Sequence, residues 1–501
     1  MSHPPGAQRW HGGRLGLALL GLLAAGLARA ADPVPAAPPW ALPPEGACAA
    51  AGAAAGAPAA AEAPPLPFAP GDAIGFAQIE ALRDHLPPEL WQQRERFFFE
   101  GMRLEIGPCF RDYGPPGFFQ EATRRHAGQA RLAEDGGLEG YQGGLPFPPE
   151  TIPPDDPQAG LRWAWNVALR YQAAGFSGPF RIADVVGILH RAEYFDGQIF
   201  KVQTAFRADR VDGVQAGPGA RDRHWVAGGL FFRPFAAREF AWRQYRSVAH
   251  LREPERSDDL HAYVPGLRRV QRVSAANVEG IYVPAFTTGS LPDAGSGSTS
   301  AGGAILGGPG GAGAAAATLP ARRSAFEGLE IRPLLYSFEV LGVRDVLAPI
   351  NAASPAYPEA PERSFGPWGV SFASDRWDLR RALVLRGTLR QAGSRGDVAS
   401  VVHWVDLQTL QPLYEIAYDR RGEVLEVGQF VGRWSEDRPD YPPWPDDPGR
   451  PVRVIDPVGA AFADVRDDAG WRRESWTLVG TPPSDAELRA ILSLNALTKR
   501  R

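Results

Sequence analysis

The sequence predicts an α+β fold in which a curved antiparallel sheet wraps around, or is covered by, helices. Three observations carry that expectation. Short β-like runs separated by tight turns follow one another from Phe180 to Phe430, helical patterns are confined to the stretch before them, and 44% apolar residues with 14 tryptophans in 501 residues suffice for a large core. Strands this apolar on both faces must curl or be covered, and a wide-faced helix nearby supplies the cover.

Taken in order, residues 1–30 read as a cleaved export signal. Arg9 and Arg14 supply positive charge, Leu15 to Leu27 form an uncharged apolar run, and Ala28-Arg29-Ala30 offers a small-x-small cleavage site. The run is shorter than the roughly 20 residues needed to span a bilayer, and no cysteine follows it to take a lipid. This points to a soluble product, beginning at Ala31, in the periplasm of a Gram-negative bacterium. Residues 31–70 are Ala/Pro-rich and read as a disordered leader. The main domain is expected over 71–490, interrupted by a low-complexity Gly/Ala/Ser loop at 289–320.

Helices are predicted from Pro88 to Gly101, Pro116 to His126 and Ala159 to Gln172. On the third, Arg162, Asn166 and Arg170 form one polar stripe while apolar residues cover most of the remaining circumference. Trp165 falls mid-arc and is expected to be deeply buried. Trp163, at the edge of the arc, is expected to be partly exposed or packed under Pro146-Phe147-Pro148. Strands are read at Gln198–Phe206 after an Asp196-Gly197 turn, on both sides of Pro265-Gly266, and in the meander Ala382–Leu389, Val401–Leu407, Leu413–Tyr418 and Glu423–Phe430.

Composition excludes several function classes. The 53 basic side chains fall to 50 once Arg9, Arg14 and Arg29 leave with residues 1–30, against 57 acidic, a balance of −7 that gives nucleic acid no footing. Cys48 and Cys109 are the only cysteines, and an exact pair in an oxidising compartment predicts one disulfide. Nucleophile-elbow, zinc-protease, Cys-x-x-Cys and Walker patterns are absent, and the glycines near 295–313 open no helix. His403 reads as a packed or half-exposed strand residue. Asp375, Asp378, Asp406 and Asp419 lie near turns and read as turn-formers. No cofactor or metal is expected.

The segments Tyr141-Gln-Gly-Gly-Leu-Pro-Phe-Pro, Gly160-Leu-Arg-Trp-Ala-Trp-Asn-Val-Ala-Leu-Arg-Tyr, Tyr263-Val-Pro-Gly-Leu-Arg-Arg-Val and Leu329-Glu-Ile-Arg-Pro-Leu-Leu-Tyr resemble the domain-of-unknown-function family numbered 1329. That family is grouped with outer-membrane lipoprotein-sorting proteins of the LolA/LolB type, and the resemblance covers about residues 70–490. It implies an incomplete β-barrel closed by helices, an apolar cavity that shields acyl chains, and no catalytic residue.

The functional expectation is a non-enzymatic periplasmic carrier or envelope-assembly factor that binds a lipid or lipidated molecule. Phe147, Trp163, Trp165, Leu169, Tyr171, Phe180 and Trp404 are the candidate cavity lining, with Arg162 and Arg170 at its mouth. Two alternatives are a hydrolase of an envelope lipid or polymer working through strand-borne carboxylates, and a structural partner of a membrane transporter or outer-membrane protein with a concave face filled by its own side chains.

Overall fold

Nearly every β-like run is drawn into one 15-stranded sheet. The computed structural model describes residues 40–48, 66–186, 191–214, 219–253, 256–273, 280–284, 328–360, 363–391, 397–466, 470–480 and 483–498, all within the compact unit Pro38–Arg501. The predicted export signal and the loop at 289–320 lie outside these residues.

The chain enters the sheet with Ala73–Ile74 (β1) and Leu104–Cys109 (β2), while Arg131–Leu132 (β3) and Leu138–Glu139 (β4) pair separately. A first meander follows: Gly175–Val186 (β5), Arg191–Gln203 (β6), Arg223–Arg233 (β7), Ala241–Ser247 (β8), Asp259–Val264 (β9) and Arg269–Val273 (β10). The second comprises Tyr336–Ala348 (β11), Arg376–Leu389 (β12), Ser400–Asp406 (β13), Pro412–Tyr418 (β14), Val424–Trp434 (β15), Ile455–Asp464 (β16) and Trp471–Trp476 (β17). Antiparallel pairing of β17 with β5, Trp471 opposite Val185 and Trp476 opposite Phe180, joins the two meanders. The sheet is curved and is not a closed barrel. Among the described residues β10 pairs only with β9 and β11 only with β12.

The meander read from sequence over 382–430 matches β12 to β15, and Pro265-Gly266 does separate two strands. The Asp196-Gly197 turn is corrected. Both residues lie inside β6, where the register with β7 shifts between them. The glycine serves close packing there, since a Cβ on Gly197 would stand 2.5 Å from the Leu230 carbonyl oxygen.

Helices cover the sheet at few places. The expected helix from Pro88 to Gly101 is two short ones, Pro88–Gln92 (α1) and Arg94–Phe97 (α2), because the chain turns extended at Phe98 to bury Phe97 and Phe98. Gly117–His126 (α3) agrees closely with expectation. Ala159–Ala168 (α4) packs on β11 and stops before Gln172, so Arg170 is not on the helix. Asp485–Leu492 (α5) carries a Ser484/Glu487 capping box. None of the described helices is long and apolar enough to cross a membrane.

The leader reading is corrected at Trp40–Cys48, which packs on the domain. Trp40 is buried, donates from Nε1 to the Ile152 carbonyl at 2.8 Å and meets the Trp163 ring edge-on at 5.6 Å. The expected Cys48–Cys109 disulfide is present, beside a Gly46 N–H to Cys109 carbonyl bond of 2.9 Å. A window-averaged composition hides two residues that each find a specific partner.

Candidate functional site

The curl of the sheet gathers one inward face from both meanders. Phe180 of β5, Ile199 of β6, Trp225 and Phe231 of β7, Trp242 of β8, Phe430 of β15, Phe462 of β16 and Trp476 of β17 share one apolar cluster. Two segments that flank the Gly/Ala/Ser stretch fill this concavity. Gly280–Pro284 contributes Ile281, Tyr282 and Val283, and from Gly328 to Leu334 every residue is buried, with Leu329 in the same cluster and Ile331 and Leu334 in the one around α4.

Polar side chains on the same face tie these segments down. Lys201 of β6 donates a short hydrogen bond to Glu330 and a second, of 2.7 Å, to Gln172. Asp258 receives Arg246 through both oxygens, at 3.0 and 2.7 Å, and Arg332 at 2.6 Å. Gln244 accepts from the Tyr282 N–H at 2.8 Å and donates to Asp258 and to the Gly280 carbonyl. Arg170 donates to the Leu329 carbonyl at 2.5 Å and the Val167 carbonyl at 2.8 Å.

Burial sets the electrostatics of this cluster. It lowers Lys201 to about 8, against the pull of Glu330, and Arg170 to about 10. Burial opposes ionisation of Glu330 and Asp258, yet the cations around them outweigh it and hold both below the ordinary carboxylate range. His224 and His250 stack with ring centroids 5.0 Å apart and share a 2.8 Å nitrogen contact. Burial, reinforced for His224 by Lys201 and for His250 by His224, lowers both, His224 to about 3, so both rings are neutral at pH 7.

Around Arg170 the space left among the described residues is small, whereas an open, polar recess of about 940 Å³ lies elsewhere, lined by Arg223, Tyr245, Arg252 and Arg272. Cavities of about 20, 30, 10 and 10 Å³ cluster around Arg170, Gln411 and Leu329. Each is about the size that holds a water and no more.

The candidate lining does not converge on one space. Phe147, Trp163, Trp165 and Leu169 share the cluster around α4, Tyr171 packs with Phe119 and Trp444, Phe180 belongs to the concave face, and Trp404 lies in the cluster with Trp377 and Tyr414. Of the two expectations for Trp163, exposure is corrected: it is as fully buried as Trp165, in one cluster with Phe147 and with Trp40 covering the edge of the helical arc. Arg162 is partly exposed and pairs with Asp156 at 2.7 Å, while Arg170 is buried. Asn166, between them in the expected polar stripe, is buried and bonds both backbone groups of Phe147, at 3.1 and 2.6 Å.

The turn-former reading of the carboxylates holds for Asp419, which accepts the Arg421 and Glu423 amides in an exposed turn. It fails for Asp378, buried within β12 and bonded by the Tyr113 hydroxyl. Asp375 is buried against Arg363 and two backbone amides, and Asp406 accepts both Arg380 and the Thr409 amide. None of the four lines the cavities around Arg170. His403 is buried and contacts Glu415 at 3.1 Å. Among the described residues no group of His, Cys, Asp and Glu is arranged to hold a metal.

Sequence reasoning missed the polar ties. One signal was available, since Lys201 and Lys499 are the only lysines of an arginine-dominated chain. Lysine differs from arginine in presenting a compact point charge on a flexible stem, whose pKa shifts readily on burial.

The architecture defines a class of open, curved antiparallel-sheet proteins with helical cover. Residues 74–286 and 323–444 match the model of the protein family of unknown function DUF1329, and the chain belongs to that family. No curated protein matches it. Solved structures similar to it include a DUF1329 family protein from Desulfovibrio piger, at 13% identity over 68% of this chain and 99% of that one, TM-score 0.38. A putative outer membrane lipoprotein-sorting protein domain from Vibrio parahaemolyticus matches at 15% identity over 69% and 100%, TM-score 0.36. A LolA superfamily protein from Nitrosomonas europaea matches at 12% over 65% and 94%, TM-score 0.30.

Proposed function

We propose that this protein is a non-enzymatic periplasmic carrier or envelope-assembly factor that encloses the apolar part of a lipid or lipidated molecule on the concave face of its sheet. The observation that carries this reading is the nature of the filling. An aromatic-lined concavity is covered by the strap Gly328–Leu334, which is held by polar ties at Glu330 and Arg332, and the apolar side chains it buries, Leu329 there and Ile331 and Leu334 beside α4, are of the same apolar character as an acyl chain. A lipid takes that place by displacing the strap.

The energetics set a chain-length threshold. Burying Leu329, Ile331 and Leu334 is worth roughly 1.5–3 kcal/mol each, and each buried methylene about 0.8 kcal/mol, so on the order of 6–11 carbons match the strap's apolar burial alone and a longer chain is needed to offset its ion pairs as well. Mature protein purified from its own periplasm is expected to carry lipid detectable by mass spectrometry. Fluorescent fatty acids are expected to bind when long and not when short. Protein that is reproducibly empty and ignores the long probes sinks the carrier reading.

One observation favours a second reading, that of a structural partner of a membrane transporter or outer-membrane protein. The cavities around Arg170 do not exceed about 30 Å³, as expected of a scaffold that needs no ligand. Under that reading a strap-loosened variant binds no fatty acid and still co-purifies with its partner.

A further inference from the structure

The β7–β8 and β9–β10 hairpin tips lie side by side at one end of the sheet. Ala241, the first residue of β8, is in register with Tyr263 near the end of β9, and Val264 with Arg269. Neighbouring hairpins of one sheet have axes about 10 Å apart. Both tips put apolar side chains into solvent: Phe235 is 90% exposed, Phe232 47% and Leu267 48%.

The first tip is a built structure. Glu239 N–H donates to the Phe231 carbonyl, Ala237 N–H to that of Pro234 and Phe240 N–H to that of Ala237, each at 3.0 Å. Ala237 and Phe240 are buried among the aromatic residues beneath and root it. Phe235 thus stands in solvent on a hydrogen-bonded, rooted turn.

Charge accompanies the apolar residues. From Phe232 to Glu239 and from Pro265 to Arg269 the chain carries Arg233, Arg238, Arg268 and Arg269 against Glu239, four against one, or +3, in a protein of net charge −4. All five side chains are exposed. A convex pair of tips with apolar points and a cationic surround suits an interface into which it can sink. A protein partner would need about 800 Å² of each surface and a hollow shaped to two projecting tips, whereas a lipid interface needs neither. Apolar side chains at the acyl boundary with arginines at the headgroups are the arrangement by which proteins lie on anionic bilayers.

We propose that this end of the sheet docks on an anionic phospholipid surface, with Phe235, Phe232 and Leu267 entering the interface and Arg233, Arg238, Arg268 and Arg269 contacting the headgroup phosphates. The inference is independent of what the concave face holds. The test is co-sedimentation of the mature chain with vesicles of one part phosphatidylglycerol to two parts phosphatidylcholine, against pure phosphatidylcholine, at low and high salt. Binding is expected to the anionic vesicles and to weaken with salt, by about fivefold for each of Arg233→Gln and Arg238→Gln. Phe235→Asp is expected to abolish it while leaving the melting temperature unchanged. Phe235→Trp, placed at the tip, is expected to shift its emission to the blue on adding anionic vesicles only. The proposal is overturned if wild type ignores anionic vesicles, if Phe235→Asp binds as well as wild type, or if the tips bind only vesicles that contain envelope proteins.

Discussion

Trp163 and Trp165 both lie fully buried, on faces of α4 about 200° apart, and this is geometrically consistent because the helix is covered on two sides. β11 lies on one and the Trp40 arm on the other. Trp163→Ala and Trp165→Ala are each expected to cost about 3–5 kcal/mol, in place of the unequal losses that the helical wheel alone predicts. Conversion to Phe separates the pair. Trp165 donates from Nε1 to the Gly136 carbonyl at 3.1 Å, whereas the Trp163 indole N–H has no hydrogen-bond partner among the described residues. Urea midpoints are expected to fall more for Trp165→Phe than for Trp163→Phe. Asp378 supplies a pH test. Burial raises its carboxyl from 3.8 to about 6, against the Tyr113 hydrogen bond and the nearby arginines. The folded chain thus binds this proton more tightly than the unfolded one. Its contribution to stability is fullest below about pH 4, declines as pH rises towards 6 and is constant above, a span of about 2–3 kcal/mol. Asp378→Asn, which stays neutral, is expected to gain in melting temperature over wild type at pH 7 relative to pH 4. A difference independent of pH would refute the assignment.

At the level of elements, α4 shows a packing demand overriding intrinsic preference. Alanine is favoured over glycine inside a helix by about 1 kcal/mol. A Cβ on Gly160, however, would stand 2.3 Å from the Phe338 carbonyl oxygen of β11, so the helix would have to lift from the strand. Gly160→Ala is therefore expected to lower stability by about 1–3 kcal/mol, read as a drop in melting temperature. A rise would mean that α4 sits less closely on β11 than described. The early end of α4 has a related cause. Leu169 leaves the helical region, and the chain turns to feed β5 while carrying Arg170 inward, away from the face shared by Arg162 and Asn166.

Across the whole molecule, the strap and the β17–β5 pairing join segments far apart in sequence, and buried charge makes the strap's attachment conditional. Lys201 and Glu330 are both nearly inaccessible, so removing either partner strands the other. Glu330→Gln is expected to cost about 3–5 kcal/mol by chemical denaturation, and Lys201→Met combined with Glu330→Gln to recover much of that loss. If loosening the strap admits an acyl chain, the single variant also binds long fatty-acid probes more tightly than wild type. Equal stabilities for the single and double variants would show that the pair is not coupled.

The sequence by itself determined the curved antiparallel sheet, the meander from β12 to β15, the disulfide and the absence of familiar catalytic motifs. Each is written in local pattern: alternation, turn residues, residue counts. Segments Gly160–Tyr171 and Leu329–Tyr336 also carried the family resemblance that the match over 74–286 and 323–444 bears out. Only the tertiary structure decided which apolar residues share a space. A strand pattern fixes the face on which a side chain lies but not which distant segment covers it, so seven candidate lining residues divided among four clusters. The same holds for the charges. Lys201 and Glu330 are 129 residues apart, and Asp258 and Arg332 are 74 apart. No spacing rule links them, because it is the curl of the sheet that brings the strap across its concave face and sets each charge against its partner.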